Sequence, residues 1–241
     1  IGDFDGKTFT TSQKDTKWVD NGTDNYAGVT YNDTPNGERV FLGWMSNWNY
    51  ARNTPTTNWR SAMTLPRTLS LSKIKGDYVL QNKPVTQFDQ QLTTAFSKEK
   101  IEIKKGSEKT LNYSNFNQSQ IQFKAENKNL KLVFSNEVND ALTLNYDAQK
   151  QQFSIDRRHS GKVNFEKSFG EKIHTTPTSN LNTKIIDFQI YNRIWCHNKE
   201  LENKIKNNLL EQTDYNFYYD FDMTTDEIFH NVKIHIDKIL K

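Results

Sequence analysis

Apolar side chains along this chain return at every second position, in short runs closed by Gly, Pro, Asn and Asp. Such alternation predicts half-buried strands, since successive side chains of a strand point to opposite faces. "IGDFDGKTFT" reads as a hairpin with Asp5-Gly6 as its two-residue turn. A strand near Tyr26–Tyr31 pairs with one near Arg39–Trp44 across a Pro35-Asn36-Gly37 turn. "WRSAMTLPRTLSLSKIKGDYVLQNKPV" adds a strand, a Lys75-Gly76 turn and a short strand over Tyr78–Gln81. No helical period interrupts this text, and Pro84 marks a linker. Residues 1–82 therefore form one β unit and 83–92 connect it to the next.

From 93 to 189 the runs become shorter: "AFSKEKIEIKK", "SQIQFKAEN", "NLKLVFSN", "LTLNYD" and "QQFSIDRR". Closely spaced strands with recurring turn signals predict a β-sandwich. After residue 190 the pattern is lost. "NKELENKIKNNLLEQ" is Asn- and Lys-rich, with at most a weak helix near Glu200–Leu210, and the text to Lys241 has no clear period. The fold class is all-β, with 190–241 as a divergent tail.

Composition sharpens this picture. Of the 241 residues only 34% are hydrophobic, yet 12% are aromatic, including 5 Trp. Aromatic rings favour pleated, half-buried faces. They also suit sugar binding, because a ring face covers the C–H side of a furanose or pyranose. Net charge is +3 with both signs interspersed, so no basic stripe marks a nucleic-acid surface. The single cysteine, Cys196, excludes an intrachain disulfide framework and a cysteine-based zinc site, and the five His show no metal-ligand spacing. No metal or cofactor is expected. No apolar run approaches the ~18 residues that span a bilayer, so neither a membrane nor a nucleic acid is an expected partner. The chain opens without Met and as if inside a strand, and reads as a fragment of a longer protein.

The richest stretch is "ERVFLGWMSNWNYA", Glu38–Ala51, where a strand runs into Trp44, Met45, Trp48 and Tyr50 set among Ser46, Asn47 and Asn49. One reading is a buried aromatic cluster at a strand end. The other is a sugar-stacking platform, since a core seldom holds so many amides without partners. Upstream, period-two geometry places Asp24 and Tyr26 on one strand face, where a carboxylate and a phenol reach sugar hydroxyls. Asp24 also reads as a turn-capping carboxylate after Gly22-Thr23. Glycoside hydrolysis needs two facing carboxylates, about 5–5.5 Å apart for retention. Among Asp3, Asp5, Asp20, Asp24, Asp33 and Glu38, only Asp24 has an inward-facing context, so no catalytic residue is assigned.

"GDFDGKTFT", "DNYAGVTYNDTPNGERVFLGWMSNWNYA" and "PTTNWRSAMTLPRTLSL", in this order, resemble glycoside hydrolase family 32, the invertases, levanases and exo-inulinases. The resemblance is strong to about residue 92 and readable to about 189. It implies the terminal portion of a five-bladed β-propeller followed by a β-sandwich. It also implies retaining attack at fructose C2 by an Asp, with a Glu as acid/base. The family's Trp-Met-Asn-Asp-Pro-Asn-Gly, Arg-Asp-Pro and Glu-Cys-Pro motifs, which hold its catalytic carboxylates, do not occur in this sequence. The implied substrate-binding residues are Asp24, Tyr26, Trp44 and Trp48, against a fructose-containing saccharide. Trp44 forms a wall beside the furanose, Tyr26 lies near the acid/base, and Trp48 borders an outer subsite or holds a strand end. Trp59, Arg60 and Arg67 read as structural. An extracellular location is expected.

The resemblance fails after Gln189, where "IYNRIWCHN" replaces the expected last sandwich strand. Back-translated with AT-rich codons, and with one nucleotide removed there, the text becomes Gln-Ser-Ile-Thr-Glu-Phe-Gly-Val. The tail is thus expected to be frame-shifted or disordered, with ordinary divergence as the alternative. A non-catalytic fructan- or glycan-binding module and a degraded gene product remain rival readings of the whole chain.

Overall fold

The computed structural model describes residues 1–56, 60, 62–74, 76–112, 118–178, 183–196, 221–225 and 231–235. A two-residue-per-strand hairpin opens the chain, β1 (Asp3–Phe4) with β2 (Phe9–Thr10). Asp5 N–H donates to the Thr8 carbonyl, and the Asp5 carboxylate accepts from the Lys7 and Thr8 amides. The turn is therefore centred on Gly6-Lys7, one residue later than expected, with Gly6 at φ +97°. That left-handed conformation is open to glycine without steric cost, and in the observed turn it falls at the first of the two central positions.

Four antiparallel strands follow in sequential order: β3 (Tyr26–Thr30), β4 (Arg39–Trp44), β5 (Arg67–Ile74) and β6 (Asp77–Pro84). The Pro35-Asn36-Gly37 turn closes through a Gly37 N–H to Thr34 carbonyl bond. β6 is longer than the Tyr78–Gln81 strand expected and ends on Pro84. A proline is tolerated there because β6 is an edge strand with no outer neighbour to receive its missing N–H. β4 runs through the middle, and Val40 and Leu42 are buried on one of its faces. A four-residue helix, α1 (Thr86–Asp89), sits in the connecting segment, where no helix was expected.

The second half contains β7 (Glu108–Asn112), β8 (Gln118–Glu126), β9 (Leu130–Ser135), β10 (Ala141–Asp147) and β11 (Gln152–His159). After a one-turn helix, α2 (Lys167–Gly170), come β12 (His174–Pro177), β13 (Ile185–Cys196), β14 (Phe221–Thr225) and β15 (Asn231–His235). They make a six-stranded sheet, β12-β11-β10-β9-β15-β7, and a three-stranded one, β14-β13-β8. The two sheets pack across a shared core. Leu132, Phe134 and Leu142 from the first meet Ile121, Phe123 and Ile190 from the second. Beside them Phe123 stacks on Phe188 at 4.8 Å, and Tyr146, buried, sends its hydroxyl to Asn127 Oδ1 at 2.7 Å. Period-two alternation puts all of these on inward faces.

A further expectation is corrected. "AFSKEKIEIKK" forms no strand. Only Ile101 and Ile103 in it are even half-buried, and its Lys and Glu side chains are exposed on either side. A run with so little apolar surface gains too little from burial to offset the cost of ordering it. The described segments of the tail take part in sheet pairing. β13 continues past residue 190 in register with β8, from Ile185 opposite Glu126 to Arg193 opposite Gln118. β15 hydrogen-bonds on both sides, to β9 and to β7, and β14 lies parallel to β13. Val232 and Ile234 alternate with polar neighbours in β15, a two-residue signal too short to stand out in the Asn-rich text. The expected helix near Glu200–Leu210 lies outside the described residues.

Candidate functional site

The site forms where the β3–β4 ladder ends. Tyr26 pairs directly with Trp44, and Val29 with Leu42, so β3 carries one extra residue between those pairs. This bulge contains Ala27 at φ +49°. Its effect is geometric: residues three apart on β3 come to the same sheet face, and Tyr26 is aimed alongside Trp44. Gly28 lies within it, and a Cβ there would stand 2.2 Å from Cζ of Phe41. Only glycine lets that ring lie over the bulge.

Beyond Trp44 the backbone leaves the sheet but stays tied down. Met45 N–H donates to the Ala62 carbonyl, and the Gly43 amide donates to Thr64 Oγ1. Asn47 then organises the next turn. Its carbonyl accepts from the Tyr50 and Ala51 amides, its Oδ1 accepts from the Asn49 amide, and its Nδ2 donates to the Thr23 carbonyl at 3.0 Å. Of the small polar residues of "WMSNWNYA", Asn47 thus serves the backbone, and Ser46 is fully buried. What they hold out is aromatic. Trp44 lies edge-on to Tyr26 at 6.1 Å and tilted against Trp48 at 5.1 Å. Tyr26 and Trp48 are more than half exposed, and Arg52 reaches over the Trp48 ring at 5.9 Å.

Of the four residues singled out in the sequence, the structure brings Tyr26, Trp44 and Trp48 together. Asp24 precedes β3, so strand periodicity does not place it beside Tyr26. Its carboxylate is engaged elsewhere. Oδ2 pairs with Arg157 Nη1 at 2.9 Å and accepts from Thr23 Oγ1, and Oδ1 accepts from the Tyr50 hydroxyl. Arg60 is exposed, and Trp59 lies outside the described residues. Arg67 has the structural role expected of it, paired with Asp20 at 3.1 Å and lying over Phe41.

Two residues central to this arrangement stand outside the four implied by the resemblance: Arg157, which the sequence reading did not name, and Tyr50, read there only as part of the aromatic stretch. Arg157, on β11, is 8% exposed, and Tyr50 is 2% exposed. The guanidinium donates through Nε to the Phe169 carbonyl, through Nη1 to Asp24, and through Nη2 to Tyr50 and Thr23. It lies 3.8 Å from the centre of the Phe169 ring, which in turn meets Tyr50 edge-on at 5.3 Å. The signal was present: Phe153, Ile155 and Arg157 alternate on one face of β11. An arginine in inward register requires an acidic partner. His174, on the neighbouring β12, is half-buried, with its Nε2 unpartnered. Burial, and then the Arg157 charge, hold its pKa below the ordinary histidine value, against the opposing pull of Asp24. Among the described residues no group of three His, Cys, Asp or Glu could hold a metal ion, and no helix is long and apolar enough to cross a membrane.

A bulged strand end presenting three aromatic rings, in a chain whose strand pairs are antiparallel except β13–β14, has the character of a carbohydrate-handling β protein. Comparison with known families agrees. Residues 1–84 match the glycosyl hydrolases family 32 N-terminal domain, and residues 84–192 match the family 32 C-terminal domain. The chain belongs to glycoside hydrolase family 32. It is 31% identical over 206 residues to an extracellular exo-inulinase of Aspergillus awamori, covering 79% of this chain and 38% of that protein. It is 31% identical over 195 residues to a levanase of Bacillus subtilis, covering 77% of this chain and 29% of that one. The crystal structure of the Aspergillus awamori exo-inulinase superposes with a TM-score of 0.60 at 22% identity, over 98% of this chain and 46% of that chain. The all-β fold is thus that of family 32 enzymes, and the chain spans less than half the length of these relatives.

Proposed function

We propose that this chain is the C-terminal part of a retaining β-fructofuranosidase that releases terminal fructose from sucrose or fructans. On this reading β3–β6 belong to the last part of a five-bladed propeller, and 93–189 form the sandwich that follows it. Tyr26, Trp44 and Trp48 form one wall of the fructose pocket, and Asp24 anchors that wall from behind. The observation that carries the reading is the half-exposed Tyr26–Trp44–Trp48 cluster at an irregular strand end. A purely structural cluster would bury these rings, whereas a sugar wall needs ring area open to solvent. The catalytic nucleophile and acid/base are assigned to blades outside these 241 residues, because the family's carboxylate-bearing motifs do not occur in this sequence and Asp24, its one inward candidate, is paired with Arg157. An extracellular location is proposed on the strength of relatives such as the extracellular exo-inulinase.

The test is kinetic. In a protein carrying all five blades, Trp44→Ala should weaken sugar binding by about 1–3 kcal/mol, from the ring area it removes. Trp18→Ala, 71% exposed and away from the cluster, is the control. Equal effects on kcat/KM from both changes, at equal stability, would take Trp44 out of the site. The 241-residue chain alone should not hydrolyse sucrose, levan or inulin. Turnover by highly purified chain that Asp24→Asn abolishes would overturn that assignment.

A further inference from the structure

We propose that Arg157 is a positioning residue for the aromatic wall, acting from the second sheet region on the loops that carry the rings. The proposal rests on the wall being the fructose site only for its functional meaning, since the geometry stands by itself. Asp24 and Thr23 lie just before Tyr26, and Tyr50 lies just after Trp48. A single guanidinium, buried and held at Nε by the Phe169 carbonyl, donates to all three of these residues. The Asn47 to Thr23 bond ties the same two segments together from the other side. Trp44 itself is fixed by the sheet, through its pairing with Tyr26 and its bridge to Met63. Trp48 has no such ladder. Its angle and distance to Trp44 depend on how the segment ending at Tyr50 is seated, and Arg157 seats it.

The residue type fits the task. A guanidinium is planar, keeps its charge, and presents donors in a fixed fork, so it can fix several acceptors at once. Stacked at 3.8 Å on Phe169, it has little freedom to swing. A lysine would offer one flexible ammonium and could not span the Phe169 carbonyl, Asp24 and Tyr50 in the same directions. The ring contacts of the guanidinium are with Tyr50 and Phe169 and not with Tyr26, Trp44 or Trp48, so its influence on those three is indirect.

The experiment reads the Trp44–Trp48 pair without any sugar, so it does not depend on the fructose assignment. The coupled near-ultraviolet circular dichroism of the two indoles is isolated as the difference between the 241-residue chain and its Trp48→Phe variant. In Arg157→Gln, with strand content retained, that coupled signal should be largely lost, and Arg157→Lys should not restore it. A folded Arg157→Gln chain with the signal unchanged overturns the proposal. If Arg157→Gln fails to fold, Asp24→Asn is read instead, because it loosens the same link from the loop side. Loss of the coupled signal in folded Asp24→Asn supports positioning. An unchanged signal overturns it. So does failure of Asp24→Asn to fold, since the pair would then serve general stability.

Discussion

Tyr50→Phe removes one oxygen atom from the centre of the junction and leaves everything else in place. The ring keeps its edge-on contacts with Phe169 at 5.3 Å and Phe165 at 6.4 Å, so apolar burial is nearly unchanged. What disappears is a hydroxyl that donates to the Asp24 carboxylate and accepts from Arg157 Nη2 at 3.3 Å. A hydrogen bond to a charged group contributes about 1.5–3 kcal/mol. Arg157 Nη2 keeps only a long contact to Thr23 Oγ1, at 3.4 Å, so the loss is not made good by a neighbour. The expected cost is therefore about 2 kcal/mol, read as a lower urea midpoint at constant slope. Tyr50→Ala removes the ring as well and should cost more, in the range of about 3–5 kcal/mol for large aromatic truncations. A cycle with Asp24→Asn should show coupling of at least about 0.5 kcal/mol, because the two side chains are in contact. A Tyr50→Phe loss below about 0.5 kcal/mol, the level of an ordinary surface change, would refute the reasoning.

Other outcomes follow from particular contacts. Phe134→Ala empties a fully buried position between the two packed sheets and should cost about 3–5 kcal/mol in urea unfolding, against near neutrality for exposed Leu71→Ala. Gly28→Ala places a methyl against the Phe41 ring and should destabilise by about 1–3 kcal/mol through overpacking, seen as a lower melting temperature. His174 has a folded pKa below its ordinary value of 6.5, so the unfolded chain takes up protons first as pH falls. Stability is then intact above that value and declines as pH drops toward the folded pKa, and His174→Gln should flatten this part of a urea-midpoint profile. If the parent protein is exported from a eukaryotic cell, the Asn21-Gly22-Thr23 and Asn32-Asp33-Thr34 acceptors are exposed at their Asn, and intact mass should show added hexoses.

Most strands were legible because alternation and turn residues agreed. β4, β8, β9, β10 and β11 lie where apolar positions recur by twos between Gly, Asn and Asp. The Tyr26–Trp44–Trp48 grouping was legible for a different reason, that its residues are close in sequence and sit at a strand end. Asp24 was harder to place. Periodicity assigns a face only inside a ladder, and the ladder starts at Tyr26. Its partner Arg157 lies 133 positions away, and no local pattern encodes such a pairing. The β3 bulge was likewise hidden, since an extra residue in one strand is defined only against its neighbour. The tail strands were missed because five-residue segments carry too few apolar positions to stand out from polar text.

The position of the rings explains why two sheet units should share one chain. A strand ladder fixes side chains only while it lasts, and here it stops at Trp44. Past that point the irregular backbone keeps a few main-chain bonds and otherwise relies on side-chain hydrogen bonds, which depend on one another. Asn47 supplies one set from within the first unit. The other set comes from β11 in the second, through a buried charge that is costly to strand and therefore keeps its partners in place. The second unit is on this account a brace for the first. The two family 32 domain matches meet at residue 84, yet the structure joins them again at Asp24 and Arg157. Separation of the units should accordingly disturb the Trp48 ring before it disturbs the β3–β6 ladder, because the ladder is held wholly within the first unit, whereas the loops beyond it share their hydrogen bonds with Arg157.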